Sequence, residues 1–243
     1  AAVEPTRADS TAPFQLVHIG TFHPASLDAG MTKNSLLRVR NRQIEPLGRT
    51  GYYLLHGIAR WRDAVGAEQA AKQLAVHLYG EVDASHRELM HSLGIEKLFT
   101  LHGYVPHQQS VAALHSADAV FVPLHGVPAG ERALVVPGKL YEALASERPV
   151  LGALPPGDGA DLIETMRAGV VVPPTDANAL AQVLGEMVAA HQDGQPKSGC
   201  TRQRMIGFSR QSLTARLAAV FGAAVSRKPG LTLSDLWQAP ETP

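Results

Sequence analysis

Cysteine is almost absent from this chain of 243 residues, since Cys200 is the only one. A single cysteine excludes an intramolecular disulfide and any metal site built from several cysteines. The chain also lacks a net charge, because 22 Lys and Arg residues balance 22 Asp and Glu residues, which argues against a dedicated nucleic-acid binder. No apolar run approaches the ~20 residues needed to cross a bilayer. The hydrophobic share of 45% is ordinary for a globular protein, and the chain is long enough to bury a sizeable core.

The basic residues are spread unevenly along the chain. Between Lys33 and Arg49 there are five basic residues and one acidic residue, Glu45. Two interpretations stay open: a solvated basic face, or attraction to an anionic ligand or a membrane surface. We expect a cytoplasmic protein, and this stretch permits contact with the inner face of the membrane.

Short β-branched or apolar runs alternate with helical patterns along most of the chain. Six such runs separated by helices predict βαβ crossovers and a mainly parallel six-stranded sheet covered on both faces, which is a Rossmann-like, doubly wound α/β domain. We expect this domain over residues 14–225, after a linker over residues 1–13 and before a tail over residues 226–243. The predicted strands are residues 14–19, 74–79, 97–102, 119–123, 148–152 and 169–173.

Helical periodicity is clearest in three places. One helix is expected around residues 54–61, and another around residues 180–188 with Thr175 or Asp176 as its N-cap. A last helix over residues 210–225 would close the domain. The run GDGAD over residues 157–161 lacks the Lys-Ser/Thr of a Walker loop and the spacing of a dinucleotide fingerprint, so we expect a turn that leads into a helix near Asp161.

The loops that follow the predicted strands are the places to look for a site, because doubly wound sheets bind ligands at the carboxyl ends of their strands. Four of the six loops carry glycine within two residues of the strand end. Glycine allows positive φ and a close approach of backbone to ligand. A tight turn alone would explain any one of them, but explains the set less well.

The stretch VPGKLYEALASERPVLG over residues 136–152 carries the strongest chemical signal. Pro137 suits the first turn of a helix that we expect to reach about Ala145. Free N–H groups near Gly138 and the ammonium of Lys139 would then form an anion site suited to phosphate. Glu142 lies one turn further along the same face and could accept hydrogen bonds from sugar hydroxyls. The plain alternative is a surface ion pair between Lys139 and Glu142.

Five segments together resemble the C-terminal, donor-binding half of a GT-B glycosyltransferase of the group 1 (family 4) type. The resemblance runs over residues 14–225, in the order and at roughly the spacing of that family. It implies one half of a GT-B fold and the retaining transfer of a sugar from a nucleotide diphosphate sugar, with no bound metal and no cofactor. The segments are FQLVHIGTF, LAVHLYGEV, HGYVPH, VVPGKLYEALASERPVL and AGVVVPPTDANALAQVL.

The resemblance also assigns roles to residues. It implies that Glu142 holds the ribose hydroxyls, that the turn Gly103–Pro106 cradles the base through backbone groups, and that the Gly20–Thr21 turn passes close to the phosphates. A cation beyond that turn would neutralise the leaving diphosphate; Arg49 and Lys33 are the candidates, and Arg49 is favoured. The implied catalytic residues are Lys139 and Arg49, and the implied donor contacts are Gly20, Thr21, Lys33, Gly103, Tyr104, Val105, Pro106, His107, Glu131, Val136, Pro137, Gly138, Leu140 and Glu142.

The chain departs from the family pattern in two ways. The first of the family's paired glutamates would fall at position 134, which is Leu134, and Glu131 would serve only if the loop bulges. The acceptor-binding domain is also missing from this sequence. We therefore expect three partners: a nucleotide sugar with uridine as the base (guanosine as the alternative), the N-terminal domain of the same parent chain, and a glycan or lipid-linked acceptor. Without the N-terminal domain we expect no activity.

Other interpretations of the sequence stay open. A GT-B-fold sugar-nucleotide epimerase would bind a uridine nucleotide in the same kind of cleft, and a non-catalytic module would keep binding without transfer. The eleven histidines include no His-x-x-x-His pair with an accompanying carboxylate, so we expect no metal site. His107 and His125 are better candidates for lining the ligand site, and Cys200 for an inert thiol.

Overall fold

The computed structural model describes residues 12–22 and 45–225, which fold around one sheet. The expected linker and tail, Lys33, and most of the basic stretch after it lie outside the described residues, so the proposed domain bounds stay a prediction. No helix within the described ranges is long and apolar enough to cross a membrane.

The six strands of the sheet are all parallel, which confirms the predicted fold class. Their order is β3-β2-β1-β4-β5-β6, so the chain builds outward from β1 in one direction and from β4 in the other. The seam between β1 and β4 is therefore the switch point where such sheets bind ligands. The strands are β1 Phe14–Ile19, β2 Leu74–Tyr79, β3 Phe99–Gly103, β4 Ala119–Pro123, β5 Val150–Ala153 and β6 Gly169–Val172.

The helices cover both faces of this sheet. On one face α1, α3 and α7 pack over a core that includes Leu16, and on the other α4, α5 and α6 pack over a core that includes Val17. Neighbouring strand residues thus point into different cores, as the two-residue period of a strand requires. The described residues form α1 Tyr52–Val65, α2 Ala67–Gln73, α3 Ala84–Ser92, α4 His107–Ser116, α5 Gly138–Ala145, α6 Asp158–Thr165, α7 Ala177–Gln192, α8 Arg202–Met205 and α9 Arg210–Val225, with 3-10 turns at Pro46–Arg49, Glu96–Leu98 and Ile206–Phe208.

The predicted strand bounds agree with the structure for β1, β2 and β4 and need correction elsewhere. β3 begins two residues later than predicted, because Glu96–Leu98 forms a 3-10 turn. β5 begins at Val150 instead of residue 148, since the preceding Pro149 has no N–H to donate to a neighbouring strand. β6 ends at Val172, directly before Pro173.

Some predicted helix ends agree with the structure and others do not. Asp176 caps α7, because its carboxylate accepts hydrogen bonds from the N–H groups of Asn178 and Ala179, both at 2.9 Å. Pro137 lies one residue before the first turn of α5 instead of inside it. α6 begins at Asp158, three residues earlier than predicted. The last helix has the predicted bounds.

Candidate functional site

A cavity of about 560 Å³ opens at the carboxyl ends of β1 and β4, at the switch point of the sheet. Its wall is formed by the ends of these strands, the start of α5 and the 3-10 turn Pro46–Arg49. Of the residues proposed from the sequence, it brings together Thr21, Arg49, His125, Pro137, Gly138, Lys139 and Glu142.

The start of α5 presents positive charge to this cavity. No side chain caps the helix, so the N–H groups of Gly138 and Lys139 at its start stay available, as at other uncapped helix starts. The ammonium of Lys139 lies against Gly20, in the turn that follows β1; an added Cβ on residue 20 would lie only 1.7 Å from Nζ. Desolvation lowers the pKa of Lys139, and the carboxylate of Glu142 offsets part of that shift. Nζ and the dipole of α5 therefore act at the same end of the cavity.

The turn that carries Gly20 is fixed by its neighbours. The N–H of Gly20 donates to the carbonyl of Tyr79 at 2.6 Å, and the N–H of Gly80 donates to the carbonyl of Gly103 at 2.7 Å. Gly20 itself has φ +134°, which side chains rarely adopt. The loops after β1, β2 and β3 are thus hydrogen-bonded side by side, and the first of them supports Lys139.

Arg49 reaches the cavity from the opposite side. The carboxylate of Glu45 accepts hydrogen bonds from the N–H groups of Leu47 (3.1 Å) and Gly48 (2.8 Å), which fixes the turn that ends at Arg49. The backbone of Glu45 also pairs with Gly126 in the loop after β4, through bonds of 3.2 and 3.0 Å. This pairing holds the Arg49 turn next to the loop that carries His125, and burial together with the Arg49 guanidinium lowers the pKa of that histidine.

His18 is a cavity residue that the sequence reasoning missed. It is the fifth residue of β1, and its Nδ1 lies 3.0 Å from the carbonyl oxygen of Phe121 in β4. Burial is the main reason that its pKa falls to about 4. The only sequence signal is a histidine inside an otherwise apolar strand that runs into Gly20.

Glu142 lines the same wall as Lys139, one turn along α5. The two charges attract each other, yet Nζ lies against Gly20, so the plain surface ion pair does not describe Lys139. The cavity thus combines two cations with a separate carboxylate. Such a site can hold an anion next to a group that donates hydrogen bonds.

A family model described as "Glycosyl transferases group 1" matches residues 47–190, which is more than half of the chain. This chain belongs to the group 1 glycosyltransferase family. Comparison of the sequence with curated proteins gives no significant match.

Solved glycosyltransferase structures share the fold of this domain. Sucrose-phosphate synthase from Thermosynechococcus elongatus superposes with a TM-score of 0.59 at 18% identity, over 90% of this chain and 47% of its own. A TarM mutant from S. aureus, in complex with fondaparinux, alpha-GlcNAc-glycerol and UDP, gives 0.57 at 16%, over 90% and 38%. HepE from Anabaena, in complex with UDP-glucose, gives 0.57 at 14%, over 88% and 50%. These likenesses establish a Rossmann-like GT-B half, and the chain spans half or less of the length of these proteins.

The proposed base-binding residues of this glycosyltransferase domain lie away from the cavity. The turn Gly103–Pro106 follows β3, at the edge of the sheet and two strands from β1. Tyr104 in this turn is 97% exposed, and His107 is the first residue of α4. The bond between the N–H of Gly80 and the carbonyl of Gly103 links this turn to the loop after β2. Its contact with a base stays a prediction, as does that of Val105.

Leu140 needs a correction, because it belongs to the core. Its side chain is fully buried, and its N–H donates to the carbonyl of Pro137 at 2.9 Å. Neither the side chain nor the N–H of Leu140 is therefore available to contact a nucleotide sugar. Val136 packs partly buried against the same core and does not line the cavity.

The loop between β4 and α5 contains Leu134, where the family pattern has a glutamate, and Glu131, the acid nearest to it. Ala133 is held against the turn before α6, since its N–H donates to Pro156 and its carbonyl accepts from Asp158. Leu134, next along, is 78% exposed, while Val135 lines the cavity. Glu131 is exposed and does not line it, so whether it serves in place of an acid at position 134 stays a prediction.

Among the described residues, those considered above as metal ligands or as a reactive thiol show no sign of such a site. Within the described ranges, no group of three or more His, Cys, Asp or Glu residues is placed to hold a metal ion. Cys200 is buried, and burial raises the pKa of its thiol. A thiol in that state is a weak nucleophile.

Proposed function

We propose that this chain is the donor-binding half of a retaining glycosyltransferase that uses a UDP-sugar in glycan or polysaccharide assembly. One observation carries the proposal: the ammonium of Lys139 lies against the Gly20 turn at the uncapped start of α5, in the lining of the cavity at the switch point. Arg49 adds a second cation to the lining of the same cavity.

The diphosphate of the donor is the ligand group that suits this end of the cavity. The N–H groups of Gly138 and Lys139 are fixed at the start of α5 before the ligand arrives, and the ammonium of Lys139 lies beside them. Breaking the bond between sugar and diphosphate places negative charge on the leaving phosphate. Fixed dipoles and cations stabilise that charge without the reorganisation that water would need. Lys139 and Arg49 are therefore the residues we propose for leaving-group stabilisation.

Glu142 separates the phosphate end from a sugar end. A carboxylate repels phosphate oxygens but accepts hydrogen bonds from hydroxyls, so the ribose is the part of the donor that we place against it. The base would then extend toward the Gly103–Pro106 turn and His107. Uridine is the proposed base, because HepE was solved with UDP-glucose and TarM with UDP.

The acceptor side of the reaction needs a second wall. The cavity is open, and the solved relatives are at least about twice as long as the part that this chain covers. We propose that an N-terminal domain of the same parent chain supplies that wall, binds a glycan or lipid-linked acceptor, and completes the active site in the cytoplasm. The retaining outcome is proposed from the family resemblance.

Calorimetric titration with UDP, UDP-glucose, GDP and ADP tests the donor site. A ligand at ~100 times its dissociation constant also stabilises the fold by about 2.7 kcal/mol, so thermal unfolding gives a second reading. We expect one uridine nucleotide to bind with or without EDTA. Binding should be lost in Glu142→Ala and kept in Glu164→Ala, which removes an exposed glutamate of α6 outside the cavity.

The outcomes separate the competing functions. If neither this chain nor the intact parent protein binds any nucleotide, the proposal is wrong. Turnover of UDP-glucose without an acceptor by the parent protein would indicate an epimerase. Binding without any transfer or turnover by the parent would indicate a non-catalytic module.

A further inference from the structure

The inner wall of the cavity contains a buried histidine with a fixed tautomer. His18 is 5% exposed, and its Nδ1 lies 3.0 Å from the carbonyl oxygen of Phe121. A carbonyl oxygen can only accept, so the hydrogen of the neutral imidazole must be on Nδ1. The lone pair is then on Nε2.

The charge state of His18 is equally well defined. Burial brings its pKa to about 4, with the nearby Lys139 cation acting in the same direction and the bond to Phe121 opposing it. The ring is therefore neutral at physiological pH. His18 also lines the cavity, and because its Nδ1 is engaged with Phe121, Nε2 is the ring nitrogen left for a ligand.

Stacked aromatic rings hold this imidazole in place. Phe22 lies on it with ring centroids 4.3 Å apart and an interplanar angle of 20°. Phe22 also stacks on His86, with ring centroids 5.5 Å apart. The backbone N–H of Phe22 donates to the carbonyl of Glu81 at 3.2 Å. The ring of His18 cannot turn without disturbing this column and breaking its bond to Phe121. Its acceptor is thus preorganised.

The ligand group that fits this acceptor is a hydroxyl. Phosphate oxygens carry lone pairs and no hydrogen, so Nε2 repels them, whereas a sugar hydroxyl can donate to it. We propose that Nε2 of His18 accepts a hydrogen bond from a sugar hydroxyl of the bound nucleotide sugar and so contributes to recognition of the donor. This inference rests on the proposed donor function. The hydroxyl belongs to either the transferred hexose or the ribose, and binding measurements distinguish the two.

The test compares His18→Phe with a matched control. Phenylalanine keeps a ring for Phe22 to stack on and removes the acceptor. The control, His191→Phe, also removes a buried histidine bonded to a backbone carbonyl (Ala12, 3.1 Å), since His191 is 2% exposed, but it does not line the cavity. Calorimetric titrations of both variants and the wild type would use UDP-glucose, UDP and 2′-deoxy-UDP.

We expect His18→Phe to weaken UDP-glucose at least about tenfold, which is the effect of one buried hydrogen bond. If UDP affinity is unchanged, the hydroxyl is on the hexose. If UDP weakens equally, the hydroxyl is on the ribose, and a ribose contact at the 2′ position would leave 2′-deoxy-UDP insensitive to the substitution. His18→Gln, which returns an acceptor near Nε2, should recover most of the affinity, and His191→Phe should match the wild type.

A spectroscopic measurement distinguishes direct contact between His18 and the ligand from an indirect effect of the substitution on the fold. In 15N-histidine-labelled protein, the signal of the unprotonated Nε2 of His18 should shift when UDP-glucose is added, because a new hydrogen bond is accepted there. Unchanged affinity for all three ligands in His18→Phe, or an equal loss in His191→Phe, overturns the inference while the donor site stands. If the wild type binds no nucleotide, the proposed function fails, and this inference fails with it.

Discussion

Nζ of Lys139 occupies the space that a Cβ on residue 20 would fill. Glycine at position 20 is therefore a condition for where the ammonium lies, although the two residues are far apart in the sequence. The turn after β1 and the start of α5 share one binding feature, and a change in either should alter the other.

Gly20→Ala should weaken nucleotide binding as well as the fold. The new methyl group displaces Nζ, which is the free end of a flexible chain and moves at little energetic cost. The positive φ of residue 20 adds strain of about 1–3 kcal/mol. We expect UDP affinity to fall at least about tenfold, measured by calorimetry. Gly194→Ala is the control, since residue 194 also has positive φ but no atom near its Cβ position; equal losses of affinity in both variants would contradict the prediction.

Lys139→Met should lower the affinity for UDP and leave the affinity for uridine unchanged. Methionine keeps most of the apolar stem and removes the charge. Loss of one charged hydrogen bond corresponds to about 1.5–3 kcal/mol, so UDP affinity should fall roughly ten- to hundredfold. Uridine serves as the matched ligand and should bind equally to both proteins. A parallel loss of uridine binding would show that Lys139 supports the whole cavity instead of contacting phosphate.

Stability should depend on pH through His18. Its pKa is 6.5 in the unfolded chain and about 4 in the fold, so between these values the unfolded state binds more protons. The free energy of unfolding should therefore fall as pH decreases from about 6.5 to about 4, by about 3 kcal/mol from this residue. Urea unfolding across that range should show a smaller slope in His18→Phe than in the wild type. Identical slopes would mean that His18 titrates normally in the fold.

The packing of α1 against α7 depends on Gly57. A Cβ there would lie 2.9 Å from Cβ of Leu180 and 3.1 Å from the carbonyl of Ala177. We expect Gly57→Ala to destabilise the fold by about 1–3 kcal/mol, as overpacking does. Gly222→Ala in α9, where nothing is near, should instead stabilise by about 0.5–1 kcal/mol. Denaturant unfolding of both variants checks the contrast, and a stabilising Gly57→Ala would refute it.

How far the sequence predicts this site depends on whether the signal is local. Lys139 and Glu142 could be placed because a proline and a helical pattern lie beside them. The burial of Leu140 could also be predicted from the sequence, since Leu140 and Leu144 lie one turn apart on the apolar face of α5. His18 could not be placed, because its role depends on Phe121 in a strand that only the sheet order brings next to β1. The same order separates the Gly103 turn from the cavity.

The cavity exists only where β1 and β4 meet, so it forms only when this seam is closed. Each flank of the sheet consists of strands and helices close in sequence, which can associate with little loop closure. The seam joins segments about a hundred residues apart, as the bond between His18 and Phe121 does with a separation of 103, and its register contains only Leu16 with Ala119 and Val17 with Val120. The two flanks must therefore dock before Lys139 meets Gly20. A nucleotide that binds across the seam would link two parts of the chain that are distant in sequence, so its binding should stabilise both flanks of the sheet together.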